Sequence, residues 1–207
     1  MRNYRVFTIY SLLIPDSLLL IIYYLTYRLG DIMKKCLIVV DFQNDFVAGS
    51  LGFPGAPELD ARIAEKISEY RRNGDAVVFT FDTHEDNYPD TQEGRNLPVA
   101  HCLRGTDGHK LYGRVAELAL ESDRKFLKNT FGSDALYSYL KSETFAGIEL
   151  VGLVSNICVI ANAVLAKTAQ PETPVIVDAR CTASHDSALN KAALDVMAGL
   201  QIQILYR

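Results

Sequence analysis

The sequence predicts a three-layer α/β/α sandwich around a mostly parallel, Rossmann-like sheet of about six strands. Three observations lead there. Short apolar runs alternate along the chain with longer segments of helical periodicity, the pattern of βαβ units. The runs are apolar at successive positions rather than at every second one, as in strands covered on both faces. The composition, 49% hydrophobic and 22% charged over 207 residues, suits a globular chain long enough to bury a core without staples.

The elements follow in order. Cys36–Asp41 (CLIVVD) reads as the first strand. Glu58–Arg72 places Ile63, Ile67 and Tyr70 at helical spacing and runs into Asn73-Gly74, a helix-ending pair. Ala76–Phe81 is the next strand, Lys110–Leu120 a helix, Lys125–Leu127 a short strand and Asp134–Lys141 a further helix. Gly147–Val154 reads as a strand and Cys158–Ala169 as an Ala-rich helix. Val175–Asp178 and Gln201–Leu205 supply the last strands, with Ala183–Ala198 helical between them.

The first 32 residues do not match this pattern. Residues 6–27 carry a single charge, Asp16, and are long enough to span a bilayer. Pro15-Asp16 interrupts them, and an Asp at the centre of a span costs about 2.5–3.5 kcal/mol. A cleaved signal peptide needs small residues before the cut, yet the first alanine is Ala48. Residues 1–32 are therefore expected to be an apolar extension ahead of a mis-called start, with Met33 opening the folded domain over 33–207. Membrane association is not expected.

The net charge of -4 argues against nucleic-acid binding, which needs a basic surface. Cys36, Cys102, Cys158 and Cys181 form no CxxC pair, which fits a reducing, cytoplasmic setting. A homo-oligomer is compatible with the sequence.

In parallel sheets ligands bind beyond the carboxyl ends of the strands. Asp41 ends the first strand, Asp82-Thr83-His84 the second, Lys128 follows the third, and Ser155-Asn156-Ile157-Cys158 follows the fourth. Each has a bland reading: Asp41 as a turn cap, Lys128 as a solvated lysine, Cys158 as a small buried hydrophobe. Cys158 would open a helix, where the dipole lowers a thiol pKa, so a thiolate is expected there. A carboxylate and a lysine beside it would complete a proton-handling set. Asp82 and His84 share one side of an extended segment, and His101 follows in a Pro/Gly-punctuated loop, with Glu93 as a fourth candidate. Such donors suit divalent Zn, Fe or Mn, although a polar loop with incidental histidines would look the same. His109 and His185 have no partner set. No phosphate-binding glycine motif occurs.

Taken together, VVDFQNDFV (39–47), FDTHEDNY (81–88), TQEGRNLPVAHCLRGTDG (91–108), FLKNTF (126–131) and GLVSNICVIANA (152–163) resemble the isochorismatase-like cysteine hydrolase superfamily, and within it the nicotinamidase-like branch. The resemblance implies that 33–207 is one such hydrolase domain. It implies a catalytic triad of Asp41, Lys128 and Cys158, with Lys125 a rival out of register. It also implies a metal held by Asp82, His84 and His101, a cis peptide at Leu153–Val154, and an oxyanion held by the Val154 and Cys158 amides. The expected activity is cysteine-dependent hydrolysis of a small, nicotinamide-like carboxamide to acid and ammonia through a thioester. The alternatives are an N-carbamoyl or other small-amide amidohydrolase, or a non-catalytic binding member. Two departures bear on the pocket. Pro98 stands where nicotinamidases commonly carry an aromatic residue, and Phe131-Gly132-Ser133 replaces an aromatic-serine-aromatic segment. Phe46 and Phe131 remain as ring-stacking candidates.

Overall fold

The computed structural model describes residues 33–207; the expectation for residues 1–32 lies outside them. Six strands make one parallel sheet in the order β3-β2-β1-β4-β5-β6. They are β1 (Cys36–Val40), β2 (Ala76–Asp82), β3 (Arg124–Lys128), β4 (Ile148–Leu153), β5 (Val175–Ala183) and β6 (Gln203–Leu205). The longer helices are α1 (Leu59–Arg72), α2 (Asp134–Ser142), α3 (Ile160–Ala169) and α4 (Ser187–Gly199).

The alternation along β1 divides the core in two. Cys36, Ile38 and Val40 pack with Leu136 and Leu140 of α2, Ala163 and Ala166 of α3 and Met197 of α4. Leu37 and Val39 face the opposite way, onto Ile63, Ile67 and Tyr70 of α1. All five residues of β1 are buried, which is why the run is apolar without a period of two. From β1 the chain builds outward through β2 and β3, then crosses back to β4 and builds the other way. This reversal makes β1 and β4 the topological switch point, where such sheets open a crevice at the strand ends.

Caps delimit the helices. The Asn73 and Gly74 amides bond back to Glu69 and Arg71, and Gly74 takes φ +76°, as its place in the sequence predicts. Ser133 caps α2 by accepting from the Leu136 N–H, and Asp186 caps α4 by accepting from Ala188 and Leu189.

Several boundaries differ from the sequence expectation. The helix expected over Lys110–Leu120 is confined to Gly113–Leu118, because the Leu111 backbone instead bridges to Gln43. Strand β5 continues past Asp178 to Ala183 and α4 starts at Ser187, not Ala183. The Asp178 and Arg180 charges pair with each other, and the ladder with β4 resumes at Thr182 and Ala183 after an irregularity. The helix expected from Cys158 starts at Ile160; Ser155–Val159 form a π-helical turn. Gly152, at φ +111°, lies where a Cβ would meet the Val40 carbonyl oxygen at 2.0 Å, so this close approach of β4 to β1 requires glycine.

Beneath α1 a charge cluster joins helix to sheet. Lys66 Nζ lies 2.6 Å from Glu149 and 3.0 Å from Asp178, and the Tyr70 hydroxyl donates to Glu149 at 2.7 Å. Lys66→Met strands two buried carboxylates without that cation. The expected loss is about 2–3 kcal/mol in denaturant unfolding, below the roughly 3–5 kcal/mol of a fully buried pair because Lys66 is partly exposed. A loss below about 0.5 kcal/mol, the scale of a surface substitution, would show that Tyr70 and Arg180 satisfy the carboxylates unaided.

Candidate active site

Asp41, at the end of β1, is fully buried and sits at φ +44°, a left-handed conformation that Asp tolerates better than most residues. Lys128 ends the edge strand β3, and Cys158 lies in the π turn after β4. The Lys128 ammonium is 2.7 Å from Asp41 Oδ2, 3.3 Å from Asp82 Oδ1 and 3.5 Å from Cys158 Sγ. The three sequence-predicted residues are thus brought together. Lys125 is exposed and donates to the Leu120 carbonyl, away from this cluster.

Asp82 also faces a second group of donors. Its Oδ2 lies 3.1 Å from His84 Nε2 and 3.3 Å from His101 Nε2, while Glu93 Oε1 is 3.9 and 3.8 Å from the same two nitrogens. All four candidate ligand atoms fall within 4.8 Å of one another. Four ligands at tetrahedral zinc distances stand about 3.3 Å apart, so the set fits a divalent ion with little movement. Two imidazoles and two carboxylates are the borderline-to-hard donors that Zn, Fe(II) or Mn(II) accept. His101 Nδ1 bonds the Val99 carbonyl at 2.8 Å, which leaves Nε2 free to ligate.

The electrostatics follow from burial. Burial alone would lower the Lys128 pKa, but Asp41, Cys158 and Asp82 hold it well above the usual lysine value, so it stays charged. Burial raises Asp41 above the ordinary carboxylate range; Lys128 opposes this and Asp82 reinforces it. Burial would also raise Asp82, yet His101, His84 and Lys128 hold it well below that range. The Cys158 thiol is pushed well above 9.0 by burial and by the Asp41 charge, against the pull of Lys128. This corrects the thiolate expectation. Cys158 lies within a buried turn beside a carboxylate, and desolvation of a thiolate there outweighs the helix dipole.

Several contributors were not singled out in the sequence. Thr80 Oγ1 donates to Asp41 Oδ1 at 2.7 Å. The Gln43 side chain pairs with the Asp82 backbone like a strand neighbour, accepting from its N–H at 2.8 Å and donating to its carbonyl at 2.9 Å. Asp45 accepts from the Cys102 N–H at 2.7 Å, beside His101. Tyr88 packs on both imidazoles, with centroids 4.6 Å from His84 and 5.0 Å from His101. Period and spacing carry no signal for these contacts, although Gln43, Asp45 and Tyr88 lie inside the quoted motifs. His109 bonds the Thr83 hydroxyl at 2.8 Å, and His185 packs near Phe53.

A cavity of about 850 Å³ opens over the cluster, lined by His84, Glu93 and Lys128 within and by Asn87, Arg104 and Asn129 further out. Phe46 is buried edge-on to His101, at 5.5 Å between centroids. Phe131 is 45% exposed and does not line this cavity. The Leu153–Val154 peptide is cis.

The isochorismatase domain profile matches residues 35–205. The chain belongs to the isochorismatase family. It is 31% identical over 144 residues, 64% of this chain and 78% of the relative, to an uncharacterized isochorismatase family protein of Bacillus subtilis. It is 27% identical over 187 residues, 83% of this chain and 98% of the relative, to a nicotinamidase/pyrazinamidase of Mycobacterium tuberculosis. The solved Bacillus subtilis nicotinamidase superposes with a TM-score of 0.73 at 29% identity, covering 84% of this chain and 99% of that one. Among the described residues of this family member, no helix is long and apolar enough to cross a membrane.

The buried thiol yields a prediction. In metal-free protein, alkylation of Cys158 by iodoacetamide accelerates with pH beyond 9.0, read by peptide mass spectrometry. A rate that levels off near neutral pH would instead mean a resting thiolate.

Proposed function

We propose that the protein is a cysteine-dependent amidohydrolase that cleaves a small, nicotinamide-like carboxamide to the acid and ammonia. The observation that carries this is the Lys128 ammonium, held within reach of both the Asp41 carboxylate and the Cys158 sulfur. A buried acid, cation and thiol in contact make a nucleophile with its own base. Nicotinamidase activity, named for two of the relatives above, is the activity this constellation suits.

In the proposed mechanism the Cys158 thiol gives its proton to Asp41 as the sulfur attacks the carboxamide carbon. Lys128 stays protonated and offsets the negative charge as it moves from carboxylate to sulfur. The Val154 and Cys158 amides are assigned to the oxyanion, where one donor is typically worth about 2.7–4 kcal/mol. Asp41 returns the proton to the leaving nitrogen, and ammonia departs from a thioester on Cys158. Asp41 then takes a proton from water, which attacks the thioester. The acid leaves, and the thiol recovers its proton.

Asp82, His84, His101 and Glu93 would hold a divalent metal. When bound, such an ion would supply a Lewis-acid grip on a heteroatom of the substrate. Phe46 is retained as a ring contact, supported by its place beside His101, whereas Phe131, which lies outside the cavity, is not. We assign the protein to the cytoplasm, a reading that its four free cysteines support.

Three outcomes test this reading. Cys158→Ala abolishes ammonia release from nicotinamide while the melting temperature is kept; wild-type turnover would move the nucleophile elsewhere. His101→Ala removes bound metal, measured by elemental analysis, and raises KM more than it lowers kcat, as loss of uniform binding does. A collapse of kcat at constant KM would make the metal part of the chemical step. The acid limb of kcat/KM reports Asp41, which must be ionised to act as base. Its folded pKa is raised, so activity is present above that value and lost as pH falls through it, above the ordinary carboxylate value of about 3.9. An acid limb at or below that value would exclude Asp41 as the base.

A further inference from the structure

One buried side chain joins the nucleophile turn to the loop that leaves Lys128. Asn162 lies one helical turn after Cys158, on α3, and is fully buried. Its Nδ2 donates to the Cys158 carbonyl at 2.8 Å and to the Phe131 carbonyl at 3.1 Å. Its Oδ1 accepts from the Ser133 N–H at 3.0 Å. Both amide protons and one acceptor position are therefore used, and the partners fix which way the amide points. Asn is a poorer helix former than the alanines beside it in α3, so propensity does not account for it.

The tether reaches both sides of the reacting groups. Toward the N-terminus of the loop, Lys128 is followed by Asn129, Thr130 and Gly132, which line the 850 Å³ cavity. Toward its C-terminus, Ser133 caps α2 through Leu136. Gly132 itself is packed against α3, where a Cβ would meet Leu165 Cδ1 at 2.9 Å. The Lys128 ammonium comes from the edge strand and Cys158 from the turn after β4, so no strand ladder joins them directly. We infer that Asn162 is a positioning residue: it ties the loop after Lys128 to the Cys158 turn and so sets the Lys128–Cys158 spacing and the wall of the substrate cavity. The activity readout of this inference rests on the amidohydrolase reading; the thiol readout does not.

Asn162→Thr separates the tether from the helix. A threonine hydroxyl in a helix bonds the carbonyl four residues back, as Thr168 does to Val164 at 2.8 Å in the same α3. The bond to Cys158 is thereby kept, while a side chain this short cannot reach Phe131 or Ser133. Asn162→Ala removes all three bonds. The measurements are melting temperature, kcat and KM for nicotinamide, and the iodoacetamide rate at Cys158. Asn162→Thr is expected to melt within a few degrees of wild type, to lose at least about tenfold in kcat, as small displacements of reacting groups do, and to alkylate at Cys158 at a changed rate. Asn162→Ala shows the same changes and a lower melting temperature. Wild-type kcat, KM and alkylation rate in Asn162→Thr overturn the inference. So do losses in Asn162→Ala that track only its unfolded fraction. If wild type releases no ammonia from nicotinamide or pyrazinamide, the amidohydrolase reading fails, and the alkylation rates alone decide the tether.

Discussion

A lysine ammonium buried to 1% exposure is the constraint around which this protein is arranged. Removing an ammonium from water costs several kcal/mol unless counter-charges meet it. Asp41 and Asp82 meet it here, and each then needs its own support. Asp41 takes the Thr80 hydroxyl, and Asp82 turns its second oxygen to two imidazoles. Those imidazoles are walled by Tyr88 and Phe46, and the loop carrying His101 is pinned by Asp45. The candidate triad and the candidate metal centre are thus one network, joined through the Asp82 carboxylate.

That sharing gives both centres a common electrostatic reference. Asp82 offers one oxygen to Lys128 and the other to the histidines, so a cation among the histidines draws on charge that otherwise serves the lysine. Asp41, raised by burial and by Asp82, lies nearer to accepting a proton than a surface carboxylate does. The proton affinities of Asp41 and Cys158 are therefore set by desolvation and by the charges paired around them.

The fold supplies this geometry cheaply because the chain reverses direction at β1. Asp41 leaves β1, Asp82 leaves β2, Lys128 leaves β3 and the Cys158 turn leaves β4, four adjacent strands whose carboxyl ends share one edge of the sheet. Gly152 allows β4 to approach β1 where a side chain would not fit. Gln43 and Asp45 do their work from the same short segment as Asp41, the first by continuing the ladder onto Asp82, the second by holding the His101 loop.

The sequence by itself determined the layer architecture, because apolar runs such as CLIVV and the periodicity of 59–72 are local consequences of burial on one or two faces. It also marked Asp41, Asp82, His84, Lys128 and Cys158, since a parallel sheet puts chemistry after its strands. It did not determine their protonation. The Cys158 pKa depends on how much water and which charges surround it, and the Asp41 carboxylate and Lys128 ammonium come from positions far apart in the chain. The ends of β5 and of the 113–118 helix were likewise decided by partners distant in sequence: a β4 ladder that resumes at Thr182, and a Gln43 bridge that takes Leu111. Thr80 and Asn162 were invisible for the same reason. A hydroxyl or an amide has no periodicity to betray it, and only the tertiary structure brings to each the groups that give it a role.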